Sequence, residues 1–188
     1  MFGSFNPVQE MPLTLVTDRL VIQGTVLTRV LRLTDLVNDP ESSHLILQSP
    51  TFMELGSRRV IAQGAVAQVQ LSDLLFAHAN GPTESAASMR MPKQPVKATL
   101  LIPPFTIDGT IHLPYESELR IALDAYGDRF VAVTGAKYWA YAVAESPNSV
   151  ELLVVNHARA HISIAAGVQW HGESGPAHSD SDGRQNPW

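Results

Sequence analysis

Apolar positions along this chain come in short runs broken by Gly, Pro, Asn and Asp, and two of the runs share a pattern. The first is Leu20-Val21-Ile22-Gln23-Gly24-Thr25-Val26; the second contains Phe105-Thr106-Ile107-Asp108-Gly109-Thr110-Ile111. Both hold Ile-x-Gly-Thr followed by a β-branched residue. β-Branched residues favour a pleated surface, and a glycine inside a strand marks a bend or bulge. Each run is therefore expected to be a curved strand.

The two runs are followed by elements of the same kind in the same order. Leu33, Leu36 and Val37 are spaced i, i+3, i+4, as are Leu119, Ala122 and Leu123, which predicts a turn or two of helix in each case. Leu45-Ile46-Leu47 and Val131-Ala132-Val133 then read as short strands. Phe52, Met53 and Leu55 fall opposite Tyr138, Trp139 and Tyr141, and Val66-Ala67-Gln68-Val69 falls opposite Leu152-Leu153-Val154-Val155. With residues 33–76 laid on 119–162, apolar residues coincide at about 14 of 44 positions, where 45 % apolar composition predicts about 9.

The fold expected is mainly antiparallel β with short helices, arranged as two small barrels or sandwiches in tandem through an internal duplication. Residues 1–16, with Gly3, Pro7 and Pro12, read as an N-terminal arm. Residues 17–79 form the first unit, the proline-rich 80–97 a linker, and 98–168 the second unit. The stretch 169–188, rich in Gly, Ser, Asp and Pro, reads as a disordered tail. Units of this size bury too little surface to stand well alone, so the two are expected to pack together.

The run Asp18-Arg19-Leu20-Val21-Ile22-Gln23-Gly24-Thr25-Val26, with Arg32-Leu33-Thr34-Asp35-Leu36-Val37-Asn38 after it, resembles a family of short, functionally uncharacterised bacterial domains. Their pattern is a strand ending in Gly, an Arg-Leu-x-Asp-hydrophobic-hydrophobic-Asn helix, and a further strand. The second block departs from it with Glu118 for the Arg and Asp124 for the Asn, and keeps a Val155-Asn156 step near its end. The resemblance implies a fold and no activity.

Composition narrows the function. Charged residues make up 16 % of the 188, below the usual level of about 25 %, and the net charge is −5. An acidic chain whose longest basic run is Arg58-Arg59 argues against nucleic acid, whose binders supply Lys and Arg to the phosphates. The chain has no cysteine, which excludes disulfides, thiolate nucleophiles and cysteine zinc sites. Without a signal peptide at the start or a long apolar run, the expected setting is cytoplasmic and off the membrane.

Candidate chemistry is thin. His157 and His161 would share a helix face at i, i+4, yet a zinc site needs further ligands, and Ala158 stands where a metalloprotease helix has Glu. His171-Gly172-Glu173-Ser174-Gly175 misplaces the first glycine of a nucleophile elbow. No glycine-rich loop opens a helix, and no cofactor is indicated. The distinctive segment is Lys137-Tyr138-Trp139-Ala140-Tyr141-Ala142-Val143. Alternation puts Trp139 and Tyr141 on one face, assigned to the core by the aligned Met53 and Leu55. It puts Tyr138 on the other face, with Phe52, as the better interface candidates. Phe52, Tyr138, Trp139 and Tyr141 are thus the candidate binding residues. The function expected is a non-enzymatic binding or self-assembly module whose partner is itself, as a homo-oligomer, or another protein. The alternatives are a small-ligand or single-stranded nucleic-acid binder on a barrel face, and an enzyme using His157, His161 and a carboxylate.

Overall fold

Alternating apolar residues set the first strand, where Met11, Leu13 and Leu15 point into a core and Glu10 and Pro12 point out. The computed structural model describes residues 7–81, 93–114, 119–124, 127–140 and 146–165. The first half holds β1 (Gln9–Thr17), β2 (Leu20–Thr28), helix α1 (Leu33–Val37), β3 (His44–Glu54), β4 (Val60–Gln63), β5 (Val66–Gln70) and β6 (Leu74–Ala79), with a 3-10 turn, Leu71–Asp73, before β6. The second holds β7 (Lys93–Ile102), β8 (Phe105–Pro114), helix α2 (Leu119–Asp124), β9 (Phe130–Ala140), β10 (Asn148–Asn156), a 3-10 turn His157–Arg159, and β11 (His161–Ile164).

The strands form one mainly antiparallel, open sheet in the order β11-β7-β8-β9-β10-β6-β1-β2-β3-β4, with β5 beside β4 on β3. Two closed barrels are not seen: among the described residues the sheet does not return on itself. A short junction, Val154↔Ala77 and Val155↔Phe76, carries it from one half to the other.

Within each half the pairing is the same. The order β6-β1-β2-β3-β5 has its counterpart in β11-β7-β8-β9-β10. β3 and β9 both run eleven residues, at an offset of 86. The β1–β2 pair Val16↔Val21 matches Leu101↔Thr106, and β3–β5 pairs such as Gln48↔Val66 match Thr134↔Leu152. Leu71 N–H donates to Ser43 O as His157 N–H donates to Arg129 O.

The glycines of the shared motif have one role. The β2–β3 register shifts between Gln23 and Thr25, and the β8–β9 register between Asp108 and Thr110. A Cβ at Gly24 would lie 2.8 Å from Leu47 Cδ2, and one at Gly109 would run into Val133 Cγ1. Leu47 and Val133 are 86 apart and fully buried. Glycine is there because the next strand's side chain occupies the space of a Cβ.

Two cores result. One gathers Leu13, Leu15, Ile22, Leu47 and Val69 of the first half with Phe130 and Val154 of the second. The other gathers Leu100, Ile107, Val133 and Leu153 of the second half with Val16, Val21 and Phe76 of the first. Each half's core is completed by residues of the other, as expected for units too small to bury a large core alone.

Two boundaries differ from the sequence expectation. Residues 9–16 are no arm; they are most of β1, in the middle of the sheet. Pro12 is tolerated because it sits past the last β1–β6 pair, Leu13↔Ala79. Its carbonyl, on the β6 side, accepts from Asn80 N–H at 2.8 Å, and no donor is needed there. Residues 93–97, expected to be linker, begin β7, so the second unit starts before residue 98. The tail at 169–188 lies outside the described residues.

Candidate interaction surface

The aromatic candidates separate. Tyr138 is inside the chain, 7 % exposed, with its ring centroid 5.0 Å from Phe76 and 6.3 Å from Phe105. Burial raises its phenol pKa. Its assignment to an outward face is corrected, and so is that of Trp139 to the core: Trp139 is half-buried and on the opposite face from Tyr138. The cause is a left-handed residue upstream. Gly135 has φ +57°, and Ser49, 86 residues earlier, has φ +48°. Each switches the alternation, so Leu45 and Leu47 are followed inward by Phe52, and Val131 and Val133 by Ala136 and Tyr138. Phe52 is half-buried against the first core, and Tyr141 lies outside the described residues.

The histidines do not converge. His157 is in a 3-10 turn and His161 in β11, so no helix aligns them. Among the described residues no group of three or more His, Asp or Glu could hold a metal ion. His78 and His112 both have lowered pKa values, chiefly from burial. For His112 the charge of Lys93 adds to this, while for His78 the Ala79 carbonyl partly opposes it. His112 Nε2 lies 2.9 Å from Thr134 Oγ1.

Four of the nine large hydrophobic side chains exposed among the described residues lie at one end of the sheet. Of the large hydrophobic side chains left in solvent, Ile46, Val60, Ile61 and Val66 all belong to β3, β4 or β5. Val66 is 63 % exposed. β4 (Val-Ile-Ala-Gln) and β5 (Val-Ala-Gln-Val-Gln) form one terminal edge and contain no Lys, Arg, Asp, Glu or Pro. The other terminal strand, β11 (His-Ile-Ser-Ile), also has none. Natural sheets guard their edges with such residues, because unpaired N–H and C=O groups invite another strand. Sequence reading noticed the low charge and missed its concentration here, since which strands are terminal is decided by pairing.

A shallow groove of about 420 Å³ lies near the junction, lined among others by Phe52, Gln68, Gln70, Asp18 and Arg159. Arg159 fills part of its wall: Nη2 donates to Asp18 Oδ1 and Oδ2 at 2.8 and 2.7 Å, and Nη1 to Asp73 O at 3.2 Å. No helix among the described residues is long and apolar enough to cross a membrane.

Compared with known proteins, the chain matches no family model, no curated protein and no solved structure. The resemblance to the short bacterial domains therefore rests on the sequence motif alone.

Proposed function

We propose that this protein is an assembly module, built by internal duplication of one strand–helix–strand unit, which works by pairing the open edges of its sheet and runs no reaction of its own. The observation that carries the reading is the pair of uncharged, proline-free terminal edges, β4/β5 and β11, on an open sheet. The duplication is supported by the recurrence of pairs, bulges and glycine contacts at offsets of 85 and 86.

The test is light scattering on the purified chain over a wide concentration range, beside Val66→Lys. The parent is expected to be larger than a monomer, and the lysine, on an exposed residue, to lower the mass while leaving the circular dichroism unchanged. A parent that stays monomeric throughout removes the assembly reading.

A second reading, binding of a small polar ligand, is favoured by the groove beside Phe52 and Arg159. It expects a ligand-dependent rise in melting temperature that Gln68→Ala and Gln70→Ala abolish.

A further inference from the structure

We propose that a second copy of the chain docks head to tail, its β5 edge adding antiparallel to β11 with Gln68 opposite Ile162 and Val69 opposite His161. The inference rests on the assembly reading and specifies its interface.

The template is the chain's own junction. There β10 of the second half pairs with β6 of the first, Val154 opposite Ala77 and Val155 opposite Phe76. By the offset of 86, β10 corresponds to β5; β6 corresponds to β11 at an offset of 85 beyond the bulge at Leu75, where Val16↔Phe76 matches Leu101↔His161. The junction thus joins one edge of each type, and the sheet is left with one of each: β5 at one end and β11 at the other. Moving the junction's pairs by 86 residues on β10 and by 85 on β6 gives the proposed register, in which Val69 lines up with His161 and, through it, with Leu101.

The face beside β11 fits the same scheme. In the first half Phe76, Val16, Val21 and Met53 are successive partners across β6, β1, β2 and β3. The second half's core covers this row: Phe76, Val16 and Val21 are buried, and Met53 packs against it. The matching row in the second half includes Leu101, Thr106 and Trp139, also successive partners. Nothing among the described residues covers it to the same degree: Leu101 is 43 % exposed, and Thr106 and Trp139 are half-buried. A second copy seated on β11 buries this row as the second half buries Val16 and Val21.

The intermolecular contact is weaker than the internal one. Val154 and Phe130, buried at the junction, correspond to Gln68 and His44, and Arg159 corresponds to Asp73. The polar outer row suits a contact that exchanges. Because it joins unlike surfaces, it propagates from copy to copy into a ring or a fibre, according to the turn per copy.

The absence of cysteine makes the test clean. Ala67→Cys and Ser163→Cys, a half-buried and an exposed position that the register sets opposite each other, are made separately and oxidised alone and mixed. The expected result is a cross-linked dimer in the mixture only, and a ladder of multiples from a chain carrying both. Leu101→Lys is expected to weaken association about tenfold or more. A dimer from Ala67→Cys alone indicates a two-fold contact and overturns the head-to-tail register. So does a parent that associates while the mixture fails to cross-link, including one held by an edge of some other protein. A strictly monomeric parent removes the assembly reading beneath the proposal, a different failure from the other two.

Discussion

Asn38 holds Phe130 by both of its backbone groups: Phe130 N–H donates to Asn38 Oδ1 at 2.7 Å, and Asn38 Nδ2 donates to Phe130 O at 2.9 Å. Phe130 opens β9, beyond the last residue that β8 pairs, Val133. The side-chain amide, one donor beside one acceptor, takes the place of a missing strand. It also ties the end of α1 to the second half, beside Arg129, whose guanidinium donates to the carbonyls of Asp39 and Ser42.

Asn38→Ala leaves that N–H and C=O without partners in a partly buried place. The expected loss is about 2–4 kcal/mol, from roughly 1–3 kcal/mol for each unsatisfied group. Asn38→Asp keeps the acceptor and turns a carboxylate toward the Phe130 carbonyl, so it is expected to recover little of the loss. Urea unfolding of the three chains measures both; equal midpoints for parent and alanine variant would refute the clamp.

The motif glycines give a graded expectation. Gly109→Ala meets a β-branched, fully buried Val133, whereas Gly24→Ala meets the flexible end of Leu47. Overpacking of this kind costs about 1–3 kcal/mol, and Gly109→Ala is expected at the upper end, Gly24→Ala at the lower. Gly109→Ala combined with Val133→Ala should cost less than the sum of the two, because the added methyl enters the space the valine vacates. Strict additivity in thermal or denaturant melts would count against the proposed contact.

Ser49 and Gly135 make a reciprocal pair. Both have positive φ, and a Cβ at Gly135 meets nothing within 4 Å, so only the backbone resists a side chain there. Gly135→Ser is expected to cost about 1–2 kcal/mol, the usual penalty of the left-handed conformation for an L-residue. Ser49→Gly should be neutral or stabilising, by up to about 1 kcal/mol, as relief of that penalty outweighs the added chain entropy. Melting temperatures that move the opposite way in either variant would contradict the assigned bulges.

Acid should weaken the fold through His78 and His112. Burial lowers the pKa of each in the native state, so the unfolded chain binds protons first as pH falls. Their cost is absent well above pH 6.5, begins as pH falls through about 6.5, the unfolded value, and is complete once pH is below the lowered native values. His78→Gln with His112→Gln is expected to flatten the stability profile between about pH 7.5 and pH 5. An unchanged slope in that double variant would place the pH dependence elsewhere.

Much of the fold was legible in residue pattern. Leu33, Leu36 and Val37 predicted α1, Leu119, Ala122 and Leu123 predicted α2, and the apolar runs of β3, β5, β9 and β10 were each recognisable. β1 was hidden by Pro12, although Met11, Leu13 and Leu15 alternate as a strand should; that a proline is harmless depends on where the neighbouring strand stops. The aromatic face was misread because the bulk of Met53 and Leu55 assigned the aligned Trp139 and Tyr141 to the core, whereas the positive φ at Ser49 and Gly135 turns Phe52 and Tyr138 inward. Asn38 was visible only as one letter of a motif. The departure to Asp124 in the second block was the available signal that the two positions differ in role.

The sequence by itself determined the β-rich class, the shared order of elements and the irregular strands at Gly24 and Gly109, because these follow from local periodicity and residue type. Only the tertiary structure decided that the halves form one sheet with cores on borrowed residues, that Tyr138 points inward, and that β5 and β11 are the ends. Edge and interior are properties of which strands pair across long stretches of chain, and a strand's own residues do not record its neighbours.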